Sequence, residues 1–562
     1  MTKKQKYILW AVDALLLILI IYPIFLGGLV GGYDPGFHMA RIRTLASNIA
    51  SGHFPNPIGF EYLHHLGYGV GFFYGNFLLY PFALIRLMGL SLYHTYILYI
   101  VIFVGLNIFS INFVTDRLFH NWWATLVSGP LYLSSYYFIT VIYTRAAIGE
   151  LTAFAIIPLV ILSLFKMFDG EVKYWWLLFI SLALLLVSHI LSFLIILGAI
   201  ILIVLMNIKA MTKNHQIFWA FCKSAISFLG ITAVFLLPFL QQYATQKYLS
   251  TATDRFGNYL VLVYASGMDN KYFDPEQFIS MNGSLIVALL IFAVGYYIFK
   301  EKCRIFHNKI IAQSLVVIIL FGSFLVSYSW VKFAVSIFKP FVLLQVMSRV
   351  DVVVLPLITL VVASALGELL SKAGNFKLPL TTVFLAVVAM ITVAFPIKEN
   401  LQNVSTRAQD IYTLSVSMGE YEPRDFERYN ASQDYQVTPK KLAKSQGYSI
   451  ISDNHHEAEV AFEKARPGQV VMLPRLNYRG YQVEFSYNGK IVKQAAISKN
   501  GLVAAKLPGD FHRGVIRVSY HLTSLAIVGW VVSLISLVVL VLARIRIPVY
   551  KHSGHRWWMI GR

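Results

Sequence analysis

Residues 7–30, YILWAVDALLLILIIYPIFLGGLV, run directly into residues 31–41, GGYDPGFHMAR, and this junction decides how the chain is read. The first stretch is apolar for longer than the roughly 20 residues that carry a helix across a hydrocarbon core about 30 Å thick. The second sets a carboxylate, an imidazole and a guanidinium (Asp34, His38 and Arg41) at the spacing that puts side chains on one helical face. An acid therefore stands where the chain leaves the membrane, at a lipid and water boundary where proton transfer is feasible. Asp34 ahead of Pro35 also reads as a helix cap, because Asp at the cap with Pro at the first helical position is a favoured pairing. A cap does not account for His38 and Arg41 on the same face.

Composition agrees with that opening. Of 562 residues, 57% are hydrophobic and only 13% are charged, whereas soluble domains carry about a quarter charged residues. A soluble globule is excluded, and a polytopic membrane protein is implied. The 15% aromatic content suits two interfacial belts, with Trp122, Trp123, Trp175 and Trp176 beside apolar runs. The first run is too long for a cleavable signal and lacks a small-residue exit site. Most of the cations behind the net charge of +20 sit in short loops and at both ends. That is the positive-inside pattern, so membrane lipids are expected as partners and nucleic acid is not. Two cysteines, Cys222 in an apolar run and Cys303 in a basic loop, imply no disulfide framework. Sequons at Asn282, Asn403 and Asn430 are too common a pattern to imply glycosylation.

Candidate spans begin near residues 7, 71, 95, 122, 147, 174, 190, 224, 284, 310, 350, 378 and 523. The apolar stretch 175–206 is longer than one span needs and reads as a hairpin turning near His189. Lys3, Lys4 and Lys6 mark the start as cytoplasmic, and Arg544, Arg546, Lys551 and Arg556 mark the end likewise, so the span count is even. The basic loops 166–173, 207–213, 300–304 and 372–377 all fall inside if the segment 71–90 stays outside. That segment contains several glycines, is broken by Pro81 and carries Arg86, which suits a helix lying in the interface. The expectation is an α-helical bundle of about twelve transmembrane helices with both termini cytoplasmic. Its domain of residues 1–397 carries a large first outer loop at 31–94.

From 398 to 522 charged and polar residues return in short alternating runs such as YQVEFSY (481–487) and GVIRVSY (514–520). This segment is expected to be an extracytoplasmic β-rich domain, followed by a final helix and basic tail at 523–562. AsnGlyLys at 488–490 between two alternating runs signals a hairpin turn. No internal repeat stands out.

Ionisable groups at membrane depth are costly and usually face a cavity with a purpose. Asp34, His38 and Arg41 come from the first outer loop, Arg145 and Glu150 flank one span, His189 tops the hairpin, and Arg349 and Asp351 start another span. In one pocket they would offer an acid or base, cations for phosphate and candidate metal ligands. Each also has a plainer reading. Arg145 can snorkel to water with Glu150 as its counter-ion, and His189 can be a hydrogen-bonded packing residue. Arg349 has the stronger functional case, at a span entrance after the Pro-broken stretch 333–347. Glu61, His64 and His65 give a weak metal signal, since adjacent histidines point apart, and Asp13 inside the first span is assigned no role.

These residues resemble the GT-C superfamily of polytopic glycosyltransferases, whose recurring feature is an acid in the first outer loop. YILYIVIFVG (96–105) through DRLFHNWWATL (116–126), then IYTRAAIGE (142–150), resembles its second and third spans. More narrowly, DPGFHMARI (34–42), TRAAIGE (144–150), SHILS (188–192) and LQVMSRVD (344–351) are similar to landmarks of bacterial membrane proteins of the "6-pyruvoyl-tetrahydropterin synthase related" family and of the YfhO-like group. NYRGYQV (477–483), with the 488–490 turn and a last span, resembles the YfhO-like ending. The resemblance implies transfer of a sugar from a polyprenyl-phosphate donor to a cell-envelope acceptor on the outer face. Asp34, His38 and Glu150 would be catalytic, and Arg41, Arg145, His189 and Arg349 would bind substrate phosphate. The superfamily often pairs its first acid with a second, whereas Asp34 is followed by Pro35 and Gly36; no metal ligand set is assigned, and a divalent cation remains a candidate cofactor. A flippase or transporter of lipid-linked material and a non-catalytic envelope scaffold are the alternatives.

Overall fold

The computed structural model describes residues 1–27, 34–251, 308–326, 328–344, 347–403, 419–455 and 457–545. Within them seven helices are long and apolar enough to cross a membrane: Lys3–Leu26, Leu92–Phe119, Ile148–Phe168, His215–Thr245, Met347–Lys372, Gly374–Ile391 and Ser524–Ala543. Two bent pairs, Trp122–Leu133 with Tyr136–Tyr143 at 50° and Lys309–Leu325 with Trp330–Ile337 at 96°, raise the number to nine. The expected twelve is not reached by length and composition among the described residues. The candidate near residue 284 lies outside them, and the stretch 175–206 is two shorter helices, Trp175–Leu186 and Ile190–Met206. The segment 71–90 is built of pieces too short to span: Val70–Phe73, Phe77–Leu79 and Tyr80–Leu87.

Local chemistry sets these breaks. The first bent pair has Pro130, which cannot donate a helical hydrogen bond, in the last turn before its break, and restarts at Ser135, whose side chain caps the Phe138 N–H. The hairpin restarts at His189, whose ring accepts from the Ser192 N–H. Several polar side chains inside the bundle pair with one another. Asp13 accepts from Asn112 at 2.8 Å, Asn112 in turn accepts from Ser128 at 2.8 Å, and Asn207 and Gln313 exchange amide hydrogen bonds at 3.0 Å. The Ser524–Ile545 helix lies along His215–Thr245 through small residues: the Ser533 hydroxyl bonds to the Gly230 and Ile231 carbonyls, and Gly529 meets Ala233.

Helix directions sort the loops to two ends. At one end Asn121 bonds Ser371, Lys377 lies over Trp123, and Lys166 pairs with Glu171. At the other end Tyr96 donates to the Ala146 carbonyl, Gln242 to that of Arg479, and Thr523 to Gln241. The β domain sits at this second end. Its five-stranded antiparallel sheet has the order β1-β2-β8-β4-β5, from strands Ser449–Asp453, Glu457–Phe462, Gly514–Tyr520, Tyr481–Tyr487 and Lys490–Ala495. A three-stranded sheet, β3-β7-β6, joins Val470–Leu476, Leu502–Lys506 and Ile497–Lys499. The turn between β4 and β5 has Asn488 and Gly489 at positive φ and pairs Tyr487 with Lys490, the two-residue hairpin that AsnGly favours. The domain's apolar core takes in Ile58, Leu66, Phe72 and Phe73 of the first loop, so that loop is clamped between sheet and bundle.

Candidate functional site

The Pro35–Ala50 helix starts immediately beside the turn that precedes Ile148–Phe168. Asp34 occupies the cap position, but its side chain makes no capping hydrogen bond; its backbone N–H instead donates to the Arg145 carbonyl at 3.0 Å. The cap reading of this acid is therefore set aside, and its carboxylate faces the cluster, with Oδ2 3.8 Å from Arg145 Nη2. Ala146 adopts φ +51°, a conformation L-residues rarely take, and this kink turns Arg145 back toward Glu150.

Arg145 grips Glu150 with both terminal nitrogens, Nη2 to Oε1 at 2.8 Å and Nη1 to Oε2 at 2.9 Å. Arg349, brought in from the turn before the Asp351–Lys372 helix, donates from Nε to Glu150 Oε1 at 3.1 Å and from Nη1 to the Leu344 carbonyl at 2.8 Å. The Tyr137 hydroxyl donates to Glu150 Oε2 at 2.5 Å and accepts from Arg145 at 3.1 Å. Three stretches far apart in sequence, at Asp34, at 137–150 and at Arg349, thus meet in one network. Glu150, expected to share in proton chemistry, lies beneath it with a side chain 1% exposed, and its oxygens accept from two guanidiniums and a phenol. Asp34 at 25%, Arg145 at 16% and Arg349 at 12% form the open side.

Beside this network lies a second layer. His38 and Arg41 are buried, with Arg41 Nη1 3.2 Å from His38 Nδ1. Arg41 also donates to the Gly75 carbonyl and Asn76 Oδ1, both at 2.8 Å, and its guanidinium stacks 3.9 Å above the Tyr74 ring. The Tyr74 ring centroid is 5.8 Å from that of His189 and 6.0 Å from that of His38. A small cavity is lined by Arg41, Gly75, Tyr99, Ile148, Gly149 and Ser188, among others. His189 bonds Ser192 and packs on Tyr74, as the plainer reading of it has it.

Burial holds the Asp34 carboxyl above the ordinary carboxylate range; Arg145 and Arg349 pull it back, and Glu150 adds to the rise. Burial, followed by the charges of Arg41, His189 and Arg145, pushes the His38 imidazole well below its usual range, so the ring is neutral. A neutral ring accepting from Arg41 at Nδ1 carries its proton on Nε2.

A divalent cation fits this donor set poorly. Both carboxylates face guanidiniums, and no group of three or more His, Cys, Asp or Glu that could hold a metal occurs among the described residues. Glu61 pairs with Arg43 at 2.9 Å, and His65 packs against Phe60. Sequence reasoning missed Tyr137, Tyr74 and Asn76, which no spacing singles out among 33 tyrosines and ordinary loop residues.

Fold and site together define a multi-pass helical membrane protein with a β domain at the same end of the bundle as a partly buried acid and arginine network. No protein-family model matches the chain, and no curated protein matches it. Among solved structures, it is similar to ArnT from Cupriavidus metallidurans bound to undecaprenyl phosphate, with 12% identity, 76% of this chain and 81% of that one covered, and a TM-score of 0.36. It is also similar to the oligosaccharyltransferase of Archaeoglobus fulgidus in its apo form, with 11% identity, 79% and 60% covered, and a TM-score of 0.40. Likeness at this level carries no functional argument, and the site is read from its own geometry.

Proposed function

We propose that this chain is a membrane glycosyltransferase of the GT-C type, moving a sugar from a polyprenyl-phosphate carrier to a cell-envelope acceptor at the outer face. The observation that carries the reading is the network itself: one partly exposed carboxylate beside two arginines held in place by a buried second acid. Asp34 takes the proton of the acceptor hydroxyl, the acceptor oxygen bonds to the sugar's anomeric carbon, and the carrier's phosphate oxygen leaves with the electrons of the broken bond. Arg145 and Arg349 meet the charge that grows on that phosphate, where fixed cations act most strongly. Glu150 holds the arginines, and His38 braces Arg41; both are positioning residues. The raised Asp34 carboxyl is a stronger base than an ordinary aspartate once ionised.

The outer placement is supported by charge. Lys3, Lys166, Lys173, Lys372 and Lys377 lie at the end of the bundle away from the network, the end that the positive-inside rule assigns to the cytoplasm.

The test is transfer from a radiolabelled polyprenyl-phosphate sugar to envelope extract by purified protein. Asp34→Asn should still bind the lipid phosphate but lose transfer by about two orders of magnitude or more, the usual worth of a general base. Full transfer by that variant would refute Asp34 as the base.

A further inference from the structure

We propose that the guanidiniums of Arg145 and Arg349 stand where a divalent cation would otherwise act, so that the site meets phosphate with its own fixed cations and binds no metal. The inference rests on the cluster being the reacting site named above.

Magnesium-like and manganese-like ions need several oxygen ligands converging on one point, with carboxylate charge left to neutralise them. Neither condition holds here. Glu150 has both oxygens engaged, Oε1 by Arg145 and Arg349 and Oε2 by Arg145 and Tyr137. Asp34 has Arg145 3.8 Å away, on the side from which it would have to share an ion with Glu150. The two carboxylates are thus balanced by two guanidiniums. Arg41 adds a further buried positive charge, because its partners His38, Gly75, Asn76, Phe37 and Tyr74 are all uncharged. A dication entering this space meets net like charge in a poorly solvated setting. A phosphate meets net opposite charge.

The experiment uses metal alone and so can fail separately from the proposed reaction. Full-length protein in detergent, stripped with chelator, is titrated with Mn²⁺ at neutral pH while the spin-resonance signal of the free ion is followed. Wild type should take up no stoichiometric Mn²⁺, whereas the double variant Arg145→Gln with Arg349→Gln, whose carboxylates lose their cations, should take up one equivalent. One equivalent bound by wild type and lost in Asp34→Asn would overturn the inference. A folded double variant that binds none would overturn the claim that the guanidiniums exclude the ion. If the double variant does not fold, the wild-type titration decides. Binding of a polyprenyl phosphate should be equal with and without chelator; binding that needs Mn²⁺ counts against this inference, and no binding in either buffer counts against the proposed reaction.

Discussion

A carboxylate that accepts from two guanidiniums and a phenol, as Glu150 does, has little basicity left for a substrate proton. Its removal exposes what it holds. Glu150→Gln removes the carboxylate between Arg145 and Arg349 and leaves Asp34, 3.8 Å from Arg145, as the acid beside them, and should lower stability by about 3 kcal/mol or more, the usual effect of breaking a buried pair from one side. Asp34→Asn, at the more exposed rim, should unfold close to wild type. Thermal unfolding in one detergent compares the two, and equal losses would show that Asp34 is also structural. His38 gives the pH prediction. Its folded-state affinity for protons is lowered, so the unfolded chain binds more protons as pH falls through the ordinary histidine range near 6.5. Stability from the neutral ring is therefore present above that range and lost below it. Wild type should lose stability between about pH 7 and 5, and His38→Gln should show a shallower decline. At this scale the sequence was informative about residue types: Asp34, Arg145, Glu150 and Arg349 are rare charges at span ends, and span ends converge. The pairing of Arg145 with Glu150 is legible from their closeness in sequence, but the approach of Arg349 to Glu150 and of Asp34 to Arg145 is not, because it depends on a kink at Ala146 and a turn before Asp351 that hydropathy does not encode.

The segment 69–76 acts as a wedge between bundle and sheet, and its glycines have a packing reason. A methyl on Gly75 would overlap the Val187 carbonyl oxygen, and one on Gly149 would overlap the Tyr74 hydroxyl. The glycines thus let the loop touch the hairpin turn and the start of Ile148–Phe168 directly, which is how the Gly75 carbonyl reaches Arg41. Gly75→Ala should push the wedge outward and weaken lipid-phosphate binding, while the Ser524–Ile545 helix, held along its length by Gly230 and Ser533, stays packed. Cysteine cross-linking across that last helix pair, alongside a binding assay, checks both halves. From sequence, the even span count and the basic loops keep this stretch outside, and its glycines, Pro81 and Arg86 suit a helix lying in the interface. They do not reveal a wedge, since close approach is a property of the partner surface as well.

On the scale of the whole molecule, the β domain is the clamp that fixes the first loop over the bundle, and Arg475 is its bolt. This side chain, 4% exposed, donates to Asp453 at 2.6 Å and to the carbonyls of His65, Asn454 and Glu457, while its guanidinium lies 4.9 Å over the Phe60 ring. Next to it the Leu476 N–H donates to the Leu66 carbonyl at 2.8 Å, and Tyr478 packs on Phe72. The alternation of the strands and the AsnGly turn make the sheet legible in sequence, but nothing in those patterns says that its core is completed by residues 58–73 of another segment. Arg475→Met keeps the apolar stem and removes the fork, leaving several buried carbonyls and the Asp453 carboxylate without their donor. The loss should be about 3 kcal/mol and local to the clamp. Hydrogen exchange should rise across residues 59–68 and β3 while the helices beneath stay protected, and lipid-phosphate affinity should fall because the wedge that carries Asn76 to Arg41 is tethered through this loop. If exchange instead rises uniformly, sheet and bundle unfold as one unit and the clamp has no independent role. If the loop loosens and affinity is unchanged, the bundle alone positions Arg41.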